Sequence, residues 1–166
     1  ELEPALALGD VGLSMIAHVL ATHRAAADFK APLCAPLRGC DAPGALDGLA
    51  RALESDDDAL QVVAARALAH PIAMPVWDRV SAVASAGRAA VRSAALATLA
   101  GIDPKKAGAQ LLLAALDNDP VVREQAVFGL GNVPGKKATE ALLTALSDPR
   151  AVVQVAALQA LGSRPD

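Results

Sequence analysis

Tyrosine is missing from this 166-residue chain, and its only aromatic side chains are one tryptophan, Trp77, and two phenylalanines, Phe29 and Phe128. Surfaces that stack on bases, sugars or flat cofactors use rings, so the scarcity counts against such ligands. Basic charge is not in excess either: 15 Lys and Arg stand against 18 Asp and Glu, a formal net charge of −3. Nucleic-acid binders concentrate Lys and Arg into patches, and no nucleic-acid partner is expected here. No apolar run approaches the ~18 residues that suggest a membrane span, so no membrane insertion is expected. The start at Glu1, with no initiator methionine, reads as a processed product or an excerpt of a longer protein.

Cysteine is nearly as scarce. Cys34 and Cys40 lie six apart in "KAPLCAPLRGCDAPG". They read either as a small disulfide loop in an exported chain or as two unrelated thiols. Without histidines beside them they make no zinc site. The reading favours the cytoplasm, with export the alternative if the two are bonded.

Alanine, leucine and valine dominate the 54% of residues that are hydrophobic. These are residues for close helix-on-helix contact, and a chain of this length can bury roughly 70% of its unfolded surface. They recur with a period. "VVREQAVFGLG" (121–131) returns 31 residues later as "VVQVAALQALG" (152–162), and the same step backwards gives "AVRSAALATLA" (90–100) and "ALQVVAARALA" (59–69). Upstream of each copy is a second periodic segment: "ALDGLARAL", "VWDRVSAV", "QLLLAALDND" and "ALLTALSD". Val122, Ala126 and Leu130 are spaced i, i+4, i+8, and Leu112, Ala115 and Leu116 are spaced i, i+3, i+4, so each repeat reads as a pair of helices.

The turn residues agree. Asp119-Pro120 and Asp148-Pro149 place a capping carboxylate before a proline, which predicts that each second helix begins there. Gly131 and Gly162 follow the last apolar residue of a helix, where a left-handed terminating glycine is expected. "GLGNVPGKK" (129–137) resembles a phosphate loop at first sight, yet three residues rather than four separate Gly131 from Gly135, and Lys137 follows Lys136 where Ser or Thr is needed. A counterpart, "GIDPKK", sits at 101–106. The stretch is a joint between repeats.

With Asp119-Pro120-Val121-Val122-Arg123 and the run through Ala126, Leu130 and Gly131 in view, residues 45 to 162 resemble the HEAT-repeat superfamily, most closely its short bacterial repeats of the phycobilin-lyase type. The expected fold is all-α: a right-handed solenoid of four helical hairpins, at about 45–70, 71–101, 102–131 and 132–162, in one continuous domain. Residues 1–44 depart from the pattern. They are read as a capping helix from about Val11 to Asp28, with Leu13, Ile16, Val19 and Leu20 as its apolar side, followed by a loop rich in proline and cysteine. No cap is visible at the other end, where Val155 occupies the column of Ser93 and Glu124. The array is expected to continue there, or to associate with something, another copy included.

The resemblance implies that second helices line a concave surface. Two columns then face outward, Val62, Ser93, Glu124, Val155 and Arg66, Ala97, Phe128, Gln159, of which Phe128, Val62, Glu124, Val155 and Arg66 are the candidate contact set for a protein or peptide partner. Phe128 either marks that site or tucks against a neighbouring repeat. Arg92 and Arg123 share a column with Gln61 and Gln154, and the resemblance implies a structural ladder in which such arginines bond the adjacent repeat. Trp77 is read as packing.

Chemistry finds few candidates. "ESDDD" (54–58) lacks the spacing of a calcium loop and reads as a helix cap, so no metal is expected. Lys105, Lys106, Lys136 and Lys137 form two basic pairs, read either as solvated first-turn residues or as a meeting point for an acidic partner. His18, His23 and His70 lack metal-ligand spacing, and no serine sits in a nucleophile elbow. The His-Glu pairs of the family's di-iron hydroxylase and the basic, ring-lined groove of its DNA glycosylases are missing too. The expected function is therefore a non-enzymatic scaffold without a cofactor. The alternatives are an accessory subunit of an enzyme, such as a chromophore-lyase-like or cofactor-inserting factor, or a structural segment of a larger protein.

Overall fold

A computed structural model describes residues 12–20, 27–42 and 44–164. Among these residues every regular element is helical. The first helix, α1, covers residues 12–20, and the rest of the expected Val11–Asp28 helix lies largely outside the described residues. Its apolar side is placed inward, with Leu13 and Leu20 buried and Ile16 packed against the core. Then follow α2 (Ala27–Cys34) with a 3-10 turn (Ala35–Leu37), α3 (Ala45–Leu53), α4 (Asp58–Leu68), a second 3-10 segment (Pro71–Val76), α5 (Trp77–Ala86) and α6 (Ala89–Ile102). The C-terminal part holds α7 (Pro104–Ala114), α8 (Pro120–Leu130), α9 (Lys136–Ala145) and α10 (Ala151–Ser163).

The helices form two layers. Second helices α4, α6, α8 and α10 lie side by side in chain order, and each also packs on its own first helix, α3, α5, α7 or α9. Alanines make the second layer close: Ala64, Ala65, Ala95, Ala126 and Ala157 are all fully buried. The first helices meet only sparsely. Contacts are tight in the second layer and loose in the first, and the side of the second layer turned away from the first helices is its inner surface.

The first layer is joined instead by polar bridges. Arg79 of α5 reaches Glu54 at 2.6 and 2.8 Å and Asp47 at 3.0 Å, and Gln110 of α7 donates to Ser81 Oγ at 2.6 Å. In the second layer Thr98, the one fully buried polar side chain among the described residues, bonds the Ala65 carbonyl of α4 at 2.7 Å.

Several local expectations are corrected. Residues 30–37 are helical rather than a loop, despite Pro32 within α2. Burial of Cys34 and Leu37 and packing of α2 on α4 outweigh the lost backbone bond. The N-terminal segment thus supplies a helix to each layer, α2 beside α4 and α1 beside α3. A β-carbon on Gly48 of α3 would stand 2.6 Å from the Ala17 carbonyl oxygen of α1. Gly48→Ala is accordingly expected to cost about 2–3 kcal/mol through overpacking, read as a lower urea midpoint together with faster amide exchange over residues 17–20.

Gly131 is not left-handed. Its φ is −54°, and a β-carbon there would lie 3.2 Å from Ala160 Cα. The residue is small so that α10 can approach α8. Gly162 lies inside α10, which runs on to Ser163. Asp119 does cap α8, accepting the Val121 N–H at 2.9 Å, but α10 begins only at Ala151 with no side-chain cap. Asp148 accepts the Arg150 N–H at 2.9 Å, one residue ahead of the helix, and its carboxylate is also held by an arginine, as described below.

The disulfide left open by the six-residue spacing is not formed: Cys34 and Cys40 are free thiols. Cys34 is turned into the core with Sγ 3.7 Å from the Lys30 carbonyl, and burial pushes its thiol up to about 11. Cys40 Sγ accepts the Ala42 N–H at 3.3 Å.

Candidate functional site

The second helices set the two outward columns on the inner surface. Phe128 and Val155 are each 51% exposed, Arg66 and Gln159 are exposed, and Val62, Ser93, Glu124 and Ala97 are half-buried. Val121 and Val152, one helical turn before Glu124 and Val155, are also about half exposed, at 49% and 48%. The sequence reading missed these two. Their signal lies in the column Ala59, Ala90, Val121, Val152, where the side chain grows in the last two repeats although its paired Val122 or Val153 is the buried one. Together they form an apolar patch across α8 and α10. Val62 and Arg66 stand apart from it on α4, with α6 between.

The arginine column faces the turns within the repeats. Arg123 holds the Asp148 carboxylate in a two-pronged bond, Nε to Oδ2 at 2.8 Å and Nη2 to Oδ1 at 3.0 Å, while its Nη1 reaches the Asp117 and Asn118 carbonyls. Arg92 makes the equivalent contact one repeat earlier, to Asp117 at 2.7 Å and the Gly87 carbonyl at 2.9 Å. Gln61 and Gln154 bond only a carbonyl of their own repeat, Leu53 or Asp148. The contrast has a chemical reason at the first joint, where Ala86 stands in the register of Asp117 and Asp148 and offers no carboxylate.

Residues 109–166 match the family model described as HEAT repeats. That stretch carries HEAT-type repeats. Among solved structures it resembles an engineered protein, with a TM-score of 0.65 at 20% identity over 98% of this chain and 84% of that one. It also resembles the complex of CpcE and CpcF of phycocyanin lyase from Nostoc sp. PCC7120, with a TM-score of 0.60 at 19% identity over 94% of this chain and 65% of that one. Human deoxyhypusine hydroxylase gives a TM-score of 0.51 at 18% identity, over 92% and 73%. At these identities the likenesses concern the fold. No curated protein matches the chain by sequence. The HEAT match contains Glu124, Phe128 and Val155 but not Val62 or Arg66.

Outside the inner surface, the HEAT hairpins expose leucines: Leu113 and Leu143 were not singled out from the sequence, and Leu116, expected on an apolar helical stripe, instead lies in the turn after α7, which ends at Ala114. Leu113 and Leu116 of the α7 repeat are 73% and 78% exposed, and Leu143 of α9 is 53% exposed. The run Leu111-Leu112-Leu113 carried the signal, because three consecutive positions cannot all face one side of a helix. A groove of about 700 Å³ lies between α7 and α9, lined by residues that include Leu112, Ala115, Leu116 and Ala141.

The acidic run is used locally. Asp57 caps α4 through the Leu60 N–H at 2.8 Å, and Asp58 meets Arg88 at 2.8 Å. All four lysines of the basic pairs are exposed; Lys106 lies 4.3 Å over the ring of buried Trp77, and Lys136 pairs with Glu140. Among the described residues no group of three or more His, Cys, Asp and Glu side chains could hold a metal ion, and no helix is long and apolar enough to cross a membrane.

Proposed function

We propose that this chain is a non-enzymatic scaffold that binds a protein or peptide along the inner surface of its second helices, with Phe128, Glu124 and Val155 at the centre of the contact and Val62 and Arg66 at its far end. One observation carries the reading: in a chain with three aromatic residues, Phe128 is half in water, and half-exposed valines lie on the same helix, Val121, and on the adjoining α10, Val152 and Val155. Exposed apolar clusters of this kind mark interaction surfaces. A surface built on packed helices is already formed before the partner arrives, so little ordering cost is added on binding. The HEAT-type fold and the two-protein assembly of its phycocyanin-lyase likeness favour a protein as the partner. Self-association, the second expected contact, would use the stacking face of α10. Leu158 is 61% exposed there, whereas Ala65, Leu96 and Val127 in the same column are buried.

The test is affinity capture with the wild-type chain and with Phe128→Asp, the two shown by circular dichroism to be equally helical. A buried aromatic anchor contributes about 2 kcal/mol or more to binding, so the variant is expected to lose at least about 30-fold in affinity. Equal retention of the same partner by both chains contradicts the assignment.

A further inference from the structure

Glu124 differs from its surroundings. It lies one turn from both Val121 and Phe128 on α8, and the repeat register sets Val155 of α10 and Ser93 of α6 beside it. Its side chain is half-buried, and among the described residues nothing donates to it or pairs with it. The guanidinium groups on α6 and α8 are committed elsewhere: Arg92 to Asp117 and Gly87, Arg123 to Asp148, Asp117 and Asn118. The other charge in the two outward columns, Arg66, is on α4, beyond α6. A half-buried carboxylate beside Val121, Phe128 and Val155 has lost part of its hydration and has no counter-ion among the described residues. A cation supplied from outside gains a charge-assisted bond there, and an anionic group is repelled.

Resting on the inner surface as the binding face, we propose that the surface across α8 and α10 receives a partner-protein segment carrying one lysine or arginine between apolar residues. The basic group meets Glu124, and the flanking apolar side chains cover Phe128, Val121 and Val155. Charge complementarity selects this occupant. Phosphate-rich surfaces and acidic segments meet the unpaired carboxylate unfavourably, and a wholly apolar segment leaves it buried without a partner.

The probe is a phage-displayed library of random 12-residue peptides, selected on the wild-type chain, on Glu124→Gln and Glu124→Lys, and on Phe128→Asp, all checked for equal helicity. Wild type is expected to enrich sequences with a basic residue between apolar ones. These should bind Glu124→Gln about ten-fold more weakly, as suits one partly desolvated ion pair, and Glu124→Lys should enrich acidic residues at the same place. Peptides that lose binding to Phe128→Asp but show no basic preference and no response at Glu124 overturn this inference and leave the scaffold reading standing. Enriched peptides indifferent to Phe128→Asp, or no enrichment at all, overturn both.

Discussion

Truncating Arg123 to alanine is expected to destabilise the fold by about 3 kcal/mol, the cost of leaving one member of a mostly buried ion pair alone. The Arg123 and Asp148 side chains are only 13% and 11% exposed, so water replaces little of what is removed. The Asp117 and Asn118 carbonyls lose a donor in the same step. Urea unfolding monitored by circular dichroism reads the effect as a lower midpoint. The pH dependence gives a second reading. The Arg123 guanidinium beside Asp148 holds its carboxyl below the usual carboxylate range, against the opposing effect of burial. A carboxyl whose folded value is depressed adds stability that is complete above its unfolded value, about 3.9, and is lost as the pH falls through the folded value. The gap between wild type and Arg123→Ala should therefore narrow on acidification below about pH 4. A gap that stays constant down to pH 2 contradicts the pairing.

Leu130→Ala is expected to cost about as much, 2–5 kcal/mol, for a different reason. Leu130 is fully buried at the end of α8, and its carbonyl is held by Arg164 Nη1 at 2.9 Å. The adjoining Gly131 is already in close contact with Ala160, so α10 cannot move in to fill the space. The comparison with Phe128→Asp on the same helix is decisive: two residues away, at a half-exposed site, the charge should change stability by less than about 1 kcal/mol. If both substitutions destabilise equally, Phe128 belongs to the core and the inner-surface patch does not exist.

These contrasts explain how far the sequence could be read. The 31-residue register assigned the second helices and their buried columns, since Val122, Ala126 and Leu130 repeat at positions that must face one way. It also placed Phe128 in an outward column, with packing against a neighbouring repeat as the alternative, and the side chain is 51% exposed. Features set by neighbouring helices were beyond it. Gly131 is explained by the approach of Ala160 rather than by its own backbone angles, and Asp148, which accepts the Arg150 N–H just ahead of α10, is shared with an arginine 25 residues earlier. The N-terminal helices were partly hidden for the same reason: Pro32 reads as a loop until α4 offers it a surface. The exposed leucines of α7 depend on how widely the first helices are spread, which no periodicity encodes.

Amide hydrogen exchange of the chain, free and with its captured partner, tests the central claim most directly. The inner-surface account predicts added protection in α8 and α10, centred on residues 121–128 and 152–159 and absent for Phe128→Asp. Protection confined instead to α7 and α9, around Leu113, Leu116 and Leu143, would contradict it and transfer the binding site to the outer layer.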